Sequence, residues 1–175
     1  MQLAVDFDLR PWTMDDLGSL VSYANNPRIA RNMTDKFPHP YTEADGLSFI
    51  EFATADSSAH IFAIDVAGEA VGGIGVHPQP DIHRKNAELG YWLAEPFWGK
   101  GIISAAIKRA VDVAFETYDI DRIFARPFGT NVASQRVLQK NGFVLEAQFR
   151  GTLYKNGEYL DELIYALRRP NWKPD

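Results

Sequence analysis

The stretch Glu88-Leu89-Gly90-Tyr91-Trp92-Leu93-Ala94-Glu95-Pro96-Phe97-Trp98-Gly99-Lys100-Gly101-Ile102-Ile103-Ser104 joins three local signals. Up to Leu93 the residues alternate, with Ala87, Leu89, Tyr91 and Leu93 set against Glu88, Gly90 and Trp92, the period-2 pattern of a strand. From Ile102 to about Tyr118, Ile103, Ile107, Ala110 and Ala114 fall on one helical face and Lys108, Asp112 and Glu116 on another. Between them Gly99 and Gly101 mark a loop. A helix start carries unpartnered N–H groups and about half a positive charge, so it receives phosphate. Glycine lets an anion approach the backbone closely, and Lys100 can add a charge. The same glycines could merely turn the chain. The loop is neither a Walker loop nor a dinucleotide Gly-x-Gly-x-x-Gly.

Toward the N-terminus, Ile61 to Val66 and Val71 to Val76 read as strands around a turn at Ala67-Gly68-Glu69. Gly72-Gly73-Ile74-Gly75 lies inside the second, where glycine marks close packing or a bulge. His77-Pro78-Gln79-Pro80-Asp81 reads as a loop between strands. Thr13 with Asp16, and Thr42 with Asp45, are capping boxes that start two helices, the first broken at Asn25-Asn26-Pro27. Toward the C-terminus a short strand, Ile120 to Arg126, is limited by Pro127. A helix from about Val132 to Lys140 stops at Asn141-Gly142. Phe143 to Tyr154 and Tyr159 to Leu167, joined by Lys155-Asn156-Gly157-Glu158, predict a hairpin with an Asn-Gly turn. The tail from Pro170 cannot continue regular structure. This order predicts an α/β fold with a mixed sheet.

With 175 residues the chain is sized for one domain, 1–175, and 46% hydrophobic residues supply its core. No cysteine is present, which removes thiolate metal sites and any cysteine nucleophile. The residues from Met1 to Asp8 lack the basic start and apolar run of a signal peptide, and no run reaches membrane-span length, so a cytoplasmic protein away from membranes is expected. A net charge of −5 and no basic stripe count against nucleic acid as a partner. His77, Asp81 and His83 lack metal-ligand spacing, so no metal is expected.

A second segment, Asn131-Val132-Ala133-Ser134-Gln135-Arg136-Val137-Leu138-Gln139-Lys140-Asn141-Gly142-Phe143, follows the strand ending at Arg126. Taken with Glu88–Ser104 it resembles the GNAT superfamily of acyl-CoA-dependent N-acetyltransferases, and within it the ribosomal-protein N-terminal (RimJ/RimL-type) branch. The resemblance covers about Leu9 to Arg168. It implies a single-domain GNAT fold, with a mixed, mostly antiparallel central sheet of about seven strands flanked by helices, and acetyl-CoA as co-substrate. The superfamily's loop motif, Gln/Arg-x-x-Gly-x-Gly/Ala, aligns with Trp98 to Ile103. Backbone N–H groups of Gly99, Lys100, Gly101, Ile102, Ile103 and Ser104 would bind the CoA pyrophosphate. The strand end Trp92-Leu93-Ala94 would pair with the pantetheine arm, and Asn131 would hydrogen-bond it. Trp98 departs from Gln/Arg and Ile103 from Gly/Ala. Leu138 stands where many relatives carry the tyrosine that protonates the leaving thiolate; the ribosomal branch uses a serine, matched here by Ser134.

Amine acetylation needs a neutral amine, a polarised thioester and a proton for the thiolate. Without cysteine, direct attack in a ternary complex is the simplest route. An α-amine with pKa near 7.8 is about 14% neutral at pH 7, a lysine amine only about 0.04%. An N-terminal acceptor therefore needs only a weak base, and Glu88 is the candidate. A surface or ion-paired Glu88 is the bland alternative, as is a Ser134 that bonds its own helix backbone. Asp161 and Glu162 are expected to be solvated. Arg28 and Arg31 could line an acceptor mouth or form an ordinary helix edge. The rival functions are acetylation of a small-molecule amine and a silent acyl-CoA-binding module, and the protein could be a monomer or a homodimer.

Overall fold

The computed structural model describes residues 5–55, 60–170 and 172. Residues 1–4, read above for the lack of a leader, and most of the tail beyond Pro170 lie outside them. Seven strands form one sheet in the order β1-β2-β3-β4-β5-β7-β6. They are β1 (Asp8–Pro11), β2 (His60–Val66), β3 (Glu69–Pro78), β4 (Asn86–Leu93), β5 (Arg122–Ala125), β6 (Val144–Lys155) and β7 (Glu158–Arg168). Only β4 and β5 pair in parallel; all other neighbours are antiparallel. The fold expected from the sequence is the one observed.

Helices α1 (Leu17–Ala24), α2 (Pro27–Ala30) and α3 (Glu43–Ala55) precede β2, while α4 (Ile102–Thr117) and α5 (Val132–Lys140) flank β5. The period-2 alternation along the strands divides the core into two layers. Ile64, Ile74, Leu89 and Leu93 pack with Ile102, Ala106, Ile107 and Ala110 of α4 and Leu138 of α5. Ile61, Ala63 and Trp92 pack on the other side with Leu20 of α1, Ile29 of α2 and Ile50 of α3. Both capping boxes form: Asp16 accepts from the Thr13 N–H at 2.9 Å, and Asp45 from the Thr42 N–H at 2.8 Å. The nearly buried Asp16 is also gripped by two Arg10 nitrogens at 2.8 Å each, which tie β1 to the start of α1. That guanidinium holds the Asp16 carboxyl below the usual range, with Thr13 adding to the effect.

Three local expectations change. β3 continues through His77 and Pro78, because Pro78 sits at the strand's last pair, opposite Ala87, where a missing N–H costs little. On α4, Ile102, Ala106 and Val111 join the buried face, while Ile103 is only half-buried at its edge. Glu162 is not solvated: its carboxylate accepts from Arg126 at 3.1 Å, and Phe128 bridges its backbone. The Asp161 carboxylate accepts from the Gly151 N–H at 2.9 Å and the Gln148 amide at 3.0 Å. Close packing explains the glycines of β3, since a Cβ on Gly72 would lie 2.5 Å from the Trp92 carbonyl oxygen.

Candidate active site

The site begins where β4 and β5 part. Their register holds only from Asn86↔Arg122 to Glu88↔Phe124. After β5 the chain stays with β7: Pro127 O accepts from the Leu163 N–H at 3.0 Å, and the Gly129 N–H donates to Asp161 O at 2.8 Å. Pro127 has no N–H to offer back to β4. From Leu89 onward β4 therefore has an open edge.

Which peptide groups face that opening follows from the ladder. The Ala94 N–H donates to Val71 O at 2.8 Å, and hydrogen-bonded pairs alternate along antiparallel strands, so Trp92 also turns its peptide groups toward β3. Trp92 and Ala94, expected to serve a ligand through their backbone, spend it elsewhere: Trp92 on β3, and Ala94 on β3 through its N–H and on the Phe97 N–H, at 3.0 Å, through its carbonyl. The opening is faced by Tyr91 and Leu93. The Leu93 carbonyl already accepts the indole N–H of Trp98 at 2.7 Å, which gives that departure from Gln/Arg a structural job.

Gly101 begins α4 with φ +80, a left-handed geometry that costs any other residue about 1–2 kcal/mol. Having no side chain, it caps nothing, and the first helical bond runs from the Ala105 N–H to Gly101 O at 3.2 Å. The N–H groups of Ile102, Ile103 and Ser104 are left pointing out of the helix start. Gly99 is also left-handed, with open space where a Cβ would be. Lys100 lies over the Phe97 ring, 5.4 Å from its centroid. Ser104 Oγ accepts from the Asn141 amide at 3.2 Å, which ties the start of α4 to the end of α5.

On the opposite wall Asn131 caps α5, its Oδ1 accepting from the Ser134 N–H at 3.2 Å. The Ser134 hydroxyl meets Tyr91 Oη at 2.5 Å across the gap. Burial pushes the Tyr91 phenol up to about 12, with the Ser134 bond opposing the rise.

A cavity of about 830 Å³ connects these parts. Leu93, Gly99, Gly101, Ile102, Ile103, Ser104, Asn131 and Ser134 all line it; Glu88, Trp92, Ala94 and Lys100 do not. Arg28 and Arg31 do line it, together with Lys155, Asn156 and Glu158 at the tip of the β6–β7 hairpin. Arg28 binds Glu95 at 2.6 Å and Lys155 binds Asp35 at 2.8 Å, so these rim residues are braced. Glu88 sits half-buried on the other face of β4, opposite His77. Burial raises its pKa, against the pull of Arg126 and with a push from Glu162. Among the described residues no three His, Asp or Glu side chains gather to hold a metal.

Tyr91, Lys140 and the hairpin tip are among the lining residues that sequence reasoning missed. Tyr91 entered the sequence reading only as part of the alternating row of Leu89 and Leu93. Its one available signal was the hydroxyl in an otherwise aliphatic row.

The acetyltransferase (GNAT) domain family matches residues 6–144 of the chain. YdaF of Bacillus subtilis, provisionally named a ribosomal N-acetyltransferase, is 37% identical over 106 residues, 61% of this chain and 57% of its own length. The ribosomal-protein-serine acetyltransferase of Escherichia coli is 32% identical over 108 residues, 62% of this chain and 60% of its own length. The chain thus matches less than two thirds of the length of these relatives. Among solved structures, the microcin C7 self immunity acetyltransferase MccE, in complex with acetyl-CoA and AMP, is 25% identical with a TM-score of 0.81, covering 94% of this chain and 93% of that one.

Proposed function

The chain belongs to the GNAT acetyltransferase family, and on that premise we propose that it transfers the acetyl group of acetyl-CoA to a primary amine, the α-amine of a protein N-terminus. The observation that carries the reading is the single cavity joining the bare start of α4, the open edge of β4 and Ser134. Phosphates of the donor go to the N–H groups of Gly99, Gly101, Ile102, Ile103 and Ser104, which line the cavity. Pantetheine lies along Tyr91 and Leu93 as an added strand and reaches Asn131. The Leu93 N–H, on the open edge, polarises the thioester carbonyl. Holding both substrates in one cavity makes attack effectively unimolecular.

Glu88 serves as base through water, since it stands off the cavity wall, and its raised pKa brings it nearer the working range. Ser134 gives a proton to the departing thiolate. The acceptor class is supported by the two ribosomal relatives and by the electrostatics of the cavity. Its charged lining is Arg28, Arg31, Lys140 and Lys155 against Glu158 alone. Two of these cations are already paired, Arg28 with Glu95 and Lys155 with Asp35; a polyamine would still meet positive charge at Arg31 and Lys140, whereas an N-terminal segment brings one amine and can carry acidic side chains to the arginines.

The test is to incubate the protein with acetyl-CoA and a mixture of N-terminal peptides and small amines, then read the products by mass spectrometry. The acetyl increment on peptide α-amines is expected. Acetylation confined to small amines would contradict the acceptor assignment. Binding of CoA without turnover on any amine would favour the silent module.

A further inference from the structure

Leu138 occupies the position where the GNAT resemblance expects a tyrosine, and it is completely buried in the core, so α5 brings no phenol to the cavity. A phenol is present nonetheless. Tyr91 supplies it from β4, on the opposite wall, with Oη 2.5 Å from Ser134 Oγ and both residues lining the cavity. A serine in the first turn of a helix ordinarily bonds back to a nearby backbone group. Here the Ser134 hydroxyl is directed across the gap.

We propose that Tyr91 is a positioning residue for leaving-group protonation, its phenol donating to Ser134 Oγ so that the serine hydrogen is free to point at the sulfur of acetyl-CoA. The inference rests on Ser134 as the acid. Either oxygen can donate in this contact, and the phenol, a far stronger acid than an aliphatic alcohol, is the better donor of the two. Burial keeps Tyr91 protonated through the neutral range, with its pKa pushed up to about 12. A hydroxyl that accepts one hydrogen bond donates a stronger one, so the same contact makes Ser134 a better acid.

The amine nitrogen bonds to the thioester carbon, and the C–S bond breaks with its electron pair on sulfur. The Ser134 hydrogen moves to sulfur and the Tyr91 hydrogen to Ser134 Oγ. The proton shed by nitrogen passes through water to Glu88, whose return of it through solvent to the phenolate restores both groups.

A double-mutant cycle on kcat and KM, with Tyr91→Phe, Ser134→Ala and the pair, tests this. Tyr91→Phe keeps the ring and so the packing. It is expected to lower kcat about 100-fold, the low end of general acid catalysis, with KM for acetyl-CoA unchanged. The double variant should be no slower than Ser134→Ala, since Tyr91 then has nothing to act through. Multiplicative losses in the double variant, a wild-type kcat in Tyr91→Phe, or a loss confined to KM would each overturn the proposal. Wild-type turnover checks the transferase reading separately; if the wild type releases no thiol with any amine, that reading falls and this one with it.

Discussion

At position 88 a half-buried carboxyl stands opposite His77 and within electrostatic reach of Arg126 and Glu162. Desolvation dominates and raises its pKa, so the folded protein holds the Glu88 proton more tightly than the unfolded chain does. The stability this contributes is full below the unfolded pKa and is lost as pH rises through the folded one. Glu88→Gln should therefore melt higher than wild type at pH 8, with the gap closing by pH 4. The same variant should lose about 100-fold in kcat/KM and the acidic limb of the pH profile, because it has no base to deprotonate. Matched melting curves and pH–rate profiles check both halves. Of the residues proposed for catalysis, Ser134 came from the sequence through the family resemblance and Glu88 through its place on the strand face of Gly90 and Trp92, although Glu88 does not line the cavity. Tyr91 was not, because its role depends on a partner 43 positions away that only the fold brings within reach.

Among the elements, α4, α5 and the β6–β7 hairpin could be read closely from sequence. Each is bounded by local chemistry: Gly101 before α4, Asn131 and Gly142 around α5, and Asn156-Gly157 at left-handed φ values of 53° and 80° in the hairpin turn. The opening beside β4 could not be read this way. It arises because the chain after β5 follows β7, a long-range pairing that leaves no signature in either strand alone. The consequence for α4 is testable. Gly101→Ala forces a Cβ into a left-handed residue and should cost about 1–2 kcal/mol of stability. If the helix start holds the donor phosphates, the same variant should raise KM for acetyl-CoA more than tenfold with a smaller change in kcat. Equal KM values would separate the glycine's conformational role from any binding role.

For the whole molecule, the order of elements led to an α/β fold with a mixed sheet, and the family resemblance added the single sheet flanked by helices; the two-layer core follows from that arrangement. Composition could not reveal the charge distribution: a chain of net charge −5 folds so that four of the five formally charged residues lining its cavity are cationic. That contrast concentrates cationic side chains at the cavity, with Arg28 and Lys155 also paired to Glu95 and Asp35 at its rim. The central claim, that this cavity holds acetyl-CoA, is tested most directly by the thermal unfolding midpoint with and without the ligand. At 100 times its dissociation constant acetyl-CoA should add about 2.7 kcal/mol, or roughly 5–11 °C for a domain of this size. A midpoint that does not move at millimolar acetyl-CoA would contradict the account, leaving Gly99 and Gly101 as a turn and the open edge of β4 without a ligand.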